Sequence, residues 1–75
     1  MKLSEAISKR LIMLCQEKNI SVEQLAEQAD ADPQAVMAVV NGYGHIAPLD
    51  VMGAICLTLG VTMYEFFYHS LFEDF

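Results

Sequence analysis

Two short segments constrain this chain more than anything else in it: Ile20-Ser21-Val22-Glu23-Gln24-Leu25 and Val61-Thr62-Met63-Tyr64-Glu65-Phe66. Each has a hydroxyl residue followed three positions later by Gln or Glu. That is a capping box, in which the hydroxyl takes the N3 amide and the N3 side chain reaches back to the cap amide. Each is also bracketed by an apolar residue before the cap and another at the fourth helical position, a staple that fixes the angle of entry. Segments written this way start helices, and at a defined residue. Around them stand Asn19, Asn41-Gly42 and Gly60, residues that accept the positive φ a helix needs to stop.

Read between these marks, the chain predicts five short helices. Ser4 is expected to cap the first, with Ile7, Leu11 and Leu14 as its apolar stripe to about Lys18. The second starts after Ser21 and ends near Ala29. Asp32 caps a third with Pro33 at its first position, where a missing N–H costs nothing. Asp30, in the link between them, occupies a site where glycine would be easiest, and aspartate visits the left-handed region at modest cost. Tyr43–Ala47 is a loop. Pro48 and Asp50 open a fourth helix with an expected inner face of Leu49, Met52, Ile55, Cys56 and Leu59, stopped by Gly60. Thr62 starts the fifth, and Ser70 with Glu73 forms a final box over the last turn. No alternation of strand period occurs, so the fold class is all-α.

Composition narrows the function. Fifty-five per cent hydrophobic residues in 75 exclude disorder and leave room for one domain, 1–75, some of whose apolar surface is left for a partner. The net charge is −6, which excludes nucleic-acid binding through bulk positive charge. Its distribution is uneven. Lys2, Lys9, Arg10 and Lys18 all precede residue 19, and the remainder carries eight carboxylates with no lysine or arginine. Cys15 and Cys56 sit in apolar surroundings and do not suggest a disulfide framework. No uncharged run is long enough to span a bilayer. With a polar start that does not read as a signal peptide, a soluble cytoplasmic protein without membrane contact is expected. His45 and His69 are expected to be solvated, since only His69 and Glu73 share ligand spacing, so no metal and no cofactor is expected. Neither a nucleophile–base set nor a glycine-rich phosphate loop is present, and an enzyme is not expected.

The segment 22–41 has the pattern of a helix-turn-helix, with small Ala26 permitting close approach of two helices joined by a tight turn. Together with Lys9-Arg10-Leu11, Leu25-Ala26-Glu27-Gln28-Ala29, Asn41-Gly42, Pro48-Leu49 and Leu59-Gly60-Val61-Thr62, it resembles the Cro/repressor-type (XRE-like) helix-turn-helix family, as a short single-domain member. The resemblance runs from Ile7 to Phe67. It implies a five-helix, lambda-repressor-like DNA-binding domain whose third helix enters the major groove of duplex DNA while neighbouring helix starts hold phosphates.

Mapped onto this chain, the implied DNA-facing positions are Ser21, Val22, Asp32, Gln34, Met37, Ala38, Tyr43 and His45. Several depart from the family's usual polar or basic choices. Val22 stands where a phosphate-touching glutamine is common, and Met37 and Ala38 occupy reader positions. Gln34 retains base-edge chemistry, an amide suited to adenine. Val40 replaces the glutamate that often pairs with the helix-one arginine, so Arg10 is expected to find another carboxylate or stay exposed. Two readings follow: a sequence-specific transcription regulator, or a helix-turn-helix whose apolar reading face docks a protein partner. Six of the seven aromatics lie in the last twelve residues, and Tyr68, Leu71, Phe72 and Phe75 are candidates for a homodimer interface.

Overall fold

Helix α1 (Leu3–Glu17) ends in a Schellman motif that shows why asparagine occupies position 19. Asn19 has φ 55°, and two hydrogen bonds close the end. The Ile20 amide donates to the Cys15 carbonyl at 3.0 Å and the Asn19 amide to the Gln16 carbonyl at 3.3 Å. The same closure recurs twice. Gly42 (φ 92°) and Gly60 (φ 74°) occupy the equivalent positions. Tyr43 donates to Ala38 at 2.9 Å and Val61 to Cys56 at 3.0 Å.

The computed structural model describes residues 2–43 and 48–73. Within them the order is α1, α2 (Val22–Gln28), α3 (Pro33–Val40), α4 (Leu49–Leu59), α5 (Met63–Phe67) and a 3-10 turn, Ser70–Phe72. No strand occurs among the described residues. Both capping boxes are complete, Ser21 with Gln24 and Thr62 with Glu65. Asp32 caps α3, accepting from the Gln34 amide at 2.9 Å, with Pro33 leading the helix.

Four local expectations are corrected. Ser4 is not a cap: α1 begins two residues earlier than that would place it, with Lys2 at the cap and no side-chain bond there, and Ser4 is buried inside the first turn. Asp30 does not take positive φ, since Asn19 is the one non-glycine residue that does among those described. Ala29 leaves α2 in extended conformation (ψ 139°), and the Ala31 amide returns to the Ala29 carbonyl at 2.9 Å, so a three-residue turn does the bending. Leu49 is 74% exposed, and Val51 takes its place on the buried face of α4. At the end of the chain His69, rather than Ser70, caps the last turn: its Nδ1 accepts from the Leu71 amide at 3.1 Å.

The core lies between α1 and the helix-turn-helix and continues under α4 and α5. Leu11, Leu25, Val36, Val39, Ile55 and Phe66 are its largest fully enclosed side chains. They come from all five helices, so no helix can leave without opening it. Ala26 and Ala29 are buried where α2 meets α3, and a longer side chain at either would push those helices apart. Of the terminal aromatics, Phe67 and Phe72 fold back on Phe66, with centroid separations of 4.9 and 6.5 Å.

Helix α1 also completes the ends of two other helices. The last four carbonyls of a helix lack intrahelical donors. The Ser8 hydroxyl donates to the Val40 carbonyl at the end of α3. Arg10 does the same for α5: its Nε–H donates to the Phe66 carbonyl at 2.8 Å and an Nη2–H to the Glu65 carbonyl at 2.9 Å. The expectation of a carboxylate partner or free exposure is thus corrected. With Val40 in the glutamate's place, the guanidinium fork turns to the backbone of α5, where a cation also meets the negative end of the helix.

Candidate nucleic-acid interface

The outer side of the helix-turn-helix follows from what the core takes. In α3 the buried residues are Val36 and Val39, so the opposite side presents Gln34, Ala38 and Asn41, with Met37 at its flank. Gln34 is exposed, and its backbone is pinned by Asp32 while its side chain stays in solvent. Asp32 and Ser21 are exposed at the starts of α3 and α2. Each side-chain oxygen is engaged by an amide of its own helix, Gln34 and Gln24 respectively.

Three of the implied DNA-facing residues are partly withdrawn. Val22 and Met37 are half-buried and pack against the core, and Ala38 is half-buried. Val40 also packs against the core. Tyr43, immediately after the Gly42 stop, is 56% exposed. His45 lies outside the described residues. Glu23, Glu27, Asp30 and Asp32 are all exposed along α2 and the turn.

An open groove of about 530 Å³ runs beside this surface, between the start of α1 and the end of α3. Lys2, Ser4, Glu5, Asn41, Gly42 and Tyr43 line it. It brings a lysine to the end of α3, which the sequence of α3 itself does not supply. Nothing in the spacing of Lys2 and Tyr43 signals this meeting, because the packing of α1 across α3 creates it.

The Cro/C1-type HTH DNA-binding domain family matches residues 10–70 of the chain. The chain belongs to that family. Its all-helical, five-helix architecture agrees with the match, and membership makes it a DNA-binding regulator in general terms. Neither the curated proteins nor the solved structures yield a significant match. The family is not an enzymatic one. Among the described residues of this Cro/C1-type domain, no three His, Cys, Asp or Glu side chains converge as metal ligands. No helix there is long and apolar enough to cross a membrane.

Other titratable groups belong to the scaffold. Burial pushes the thiols of Cys15 and Cys56 up from their ordinary value, which keeps them protonated and unreactive near neutrality. The Glu65 carboxyl is held below its usual range by hydrogen bonds with the backbone and hydroxyl of Thr62, with a smaller contribution from Lys18. At the other end of the molecule Tyr64 and Tyr68 stack with centroids 5.4 Å apart, each 73% exposed. Beside them a groove of about 340 Å³ is lined by Phe67, Tyr68, His69, Ser70, Phe72 and Glu73. Leu71 is half-buried, Phe72 is half-buried against Phe67, and Phe75 lies outside the described residues.

Proposed function

We propose that the domain is a sequence-specific transcription regulator that places α3 in the major groove of duplex DNA. The observation that carries this reading is the arrangement at the start of α3. The Asp32 carboxylate and Pro33 fix the first turn, and they hold Gln34 outward with a free amide. A side-chain amide held this way matches the N6/N7 edge of adenine. Ser21 and Tyr43 flank it on either side as backbone-positioning groups.

The apolar excess on α3 gives less support to docking of a protein partner. Met37 and Val40, its two largest contributors, pack against the domain's own core. The acidic residues along α2 make the DNA complex weak. A carboxylate such as Asp32 about 4 Å from a phosphate costs roughly 1 kcal/mol in bulk water. Two domains per operator would offset this, with half-sites one helical turn, about 34 Å, apart. Tyr68 and Leu71, next to the exposed Tyr64 stack, are the proposed surface between the two copies.

Selection from random duplexes at about 50 mM salt, followed by fluorescence anisotropy, tests this proposal. A preferred sequence is expected, with its preference relaxed by Gln34→Ala. No enrichment under those conditions would sink it. Light scattering across micromolar concentrations checks the dimer, and a constant monomer mass argues against it.

A further inference from the structure

The side chains that α3 leaves for a partner form a short and chemically uniform series. Val36 and Val39 are buried, and Ala35, Met37 and Val40 are partly buried against the core. Gln34, Ala38 and Asn41 remain, and their spacing puts them on one side of the helix. Gln34 and Asn41 are exposed. Ala38 is half-buried, yet among the described residues it is not one of those packed against the core. Its methyl belongs to the outer side.

The series is amide, methyl, amide, and nothing in it is charged. From Val22 to Asn41 the chain holds no lysine or arginine. Arginine or lysine paired with guanine O6 and N7 is the commonest specific base contact, and α2 and α3 have no residue to make it. The chemistry that remains points to the other base pair. A side-chain amide matches adenine N6/N7, and an outward methyl meets the C5 methyl of thymine. Four residues of helix advance about 6 Å along the axis, close to two base steps of about 3.4 Å. Gln34 and Ala38 therefore reach different base pairs. Asp32 has the opposite leaning, since a carboxylate accepts from cytosine N4. Its Oδ1 instead accepts from the Gln34 backbone amide at 2.9 Å.

We infer that α3 selects a half-site of A·T pairs, in which Gln34 takes an adenine and the Ala38 methyl packs on a thymine methyl about two base pairs away. The inference rests on the proposed major-groove reading and adds the class of sequence that reading takes. Ala38 is then a specificity residue in its own right, and its smallness is what brings the methyl of thymine into contact.

The duplex selected at about 50 mM salt is the probe. Selection repeated with Gln34→Ala and with Ala38→Gly marks the base pair beneath each residue by the position at which preference relaxes. Adenine is expected at the first and thymine at the second. Base analogues then alter the DNA and leave the protein untouched. Uracil for thymine at the Ala38 position removes one methyl. It should weaken the parent about fourfold in anisotropy and leave Ala38→Gly unmoved. Gln34→Ala should bind the selected duplex about 5–150-fold more weakly than the parent. Deleting N7 of the adenine with 7-deazaadenine should weaken the parent several-fold and leave Gln34→Ala indifferent. Each pair closes a double-mutant cycle, so any general loss of helix stability in Ala38→Gly cancels. A G·C pair at the first position, or a cytosine preference that disappears in Asp32→Asn, overturns the inference and leaves major-groove reading intact. Uracil that binds as well as thymine, or that weakens the parent and Ala38→Gly equally, does the same. No enriched sequence at all overturns the underlying reading, and the A·T half-site with it.

Discussion

Removing the Arg10 guanidinium tests the unusual closure of α5. Arg10→Ala deletes two hydrogen bonds from a cation to the Phe66 and Glu65 carbonyls, at 2.8 and 2.9 Å. Bonds of this kind are worth about 1.5–3 kcal/mol each when shielded. One of these is half-buried and the other exposed, and the orphaned carbonyls regain water, so about 2 kcal/mol for the pair is the expected loss. A domain of this size has only about 4–11 kcal/mol in all. At roughly 4–8 °C per kcal/mol, the melting temperature falls by about 8–16 °C. Thermal denaturation followed by circular dichroism measures it. Arg10→Lys should recover less than half, because a single ammonium cannot fork across two successive carbonyls. Carbonyls do not titrate, so the difference between parent and Arg10→Ala should be the same at pH 4.5 and pH 8. A melting temperature within about 2 °C of the parent refutes the reasoning. A deficit that vanishes in acid would show instead that the partner is a carboxylate.

Asn19→Gly should be neutral or slightly stabilising, whereas Asn19→Ala should cost about 1 kcal/mol in urea unfolding, because alanine pays for the positive φ. Leu25→Ala, at a fully enclosed position where α2 meets the core, should cost about 2–5 kcal/mol and leave much of the chain unfolded at 37 °C. Glu65 has a folded-state pKa below its unfolded one, so its contribution is complete above the unfolded value and disappears as pH falls through the folded one. Glu65→Gln preserves the capping box and should therefore flatten the urea midpoint between pH 6 and pH 3 relative to the parent. Cys15 and Cys56 should react with an aromatic disulfide reagent only as fast as the domain opens, and quick native-state labelling would contradict their enclosure.

The helix boundaries were the most legible part of the fold, because their causes are local. Ser21, Thr62, Asp32, Asn19, Gly42 and Gly60 each act on amides or carbonyls within five residues. The misreadings arose where one local signal competed with another. Ser4 has the chemistry of a cap, but α1 starts two residues sooner, at Leu3, and Ser4 is then carried inward. Ser70 and Glu73 spell a box, but the Glu73 amide donates to the Ser70 carbonyl and His69 caps the turn one residue earlier, at the Leu71 amide. Leu49 follows the helical apolar period, yet at the first position of α4 nothing remains to cover it. The partners of Arg10 were illegible for a different reason. They are main-chain atoms 55 and 56 residues away, and a carbonyl has no side chain to announce it. The groove at the end of α3 is illegible in the same way, since it exists only where α1 crosses α3.

The bounds of α3 are held by Asp32, Pro33 and Gly42, and its anchorage by Val36 and Val39. None of these residues is Gln34 or Ala38. The letters that would meet a base are thus separate from those that keep the helix in place. A lineage of such domains could exchange Gln34 or Ala38 for other polar residues, one at a time, and change the sequence it prefers while each intermediate still folds.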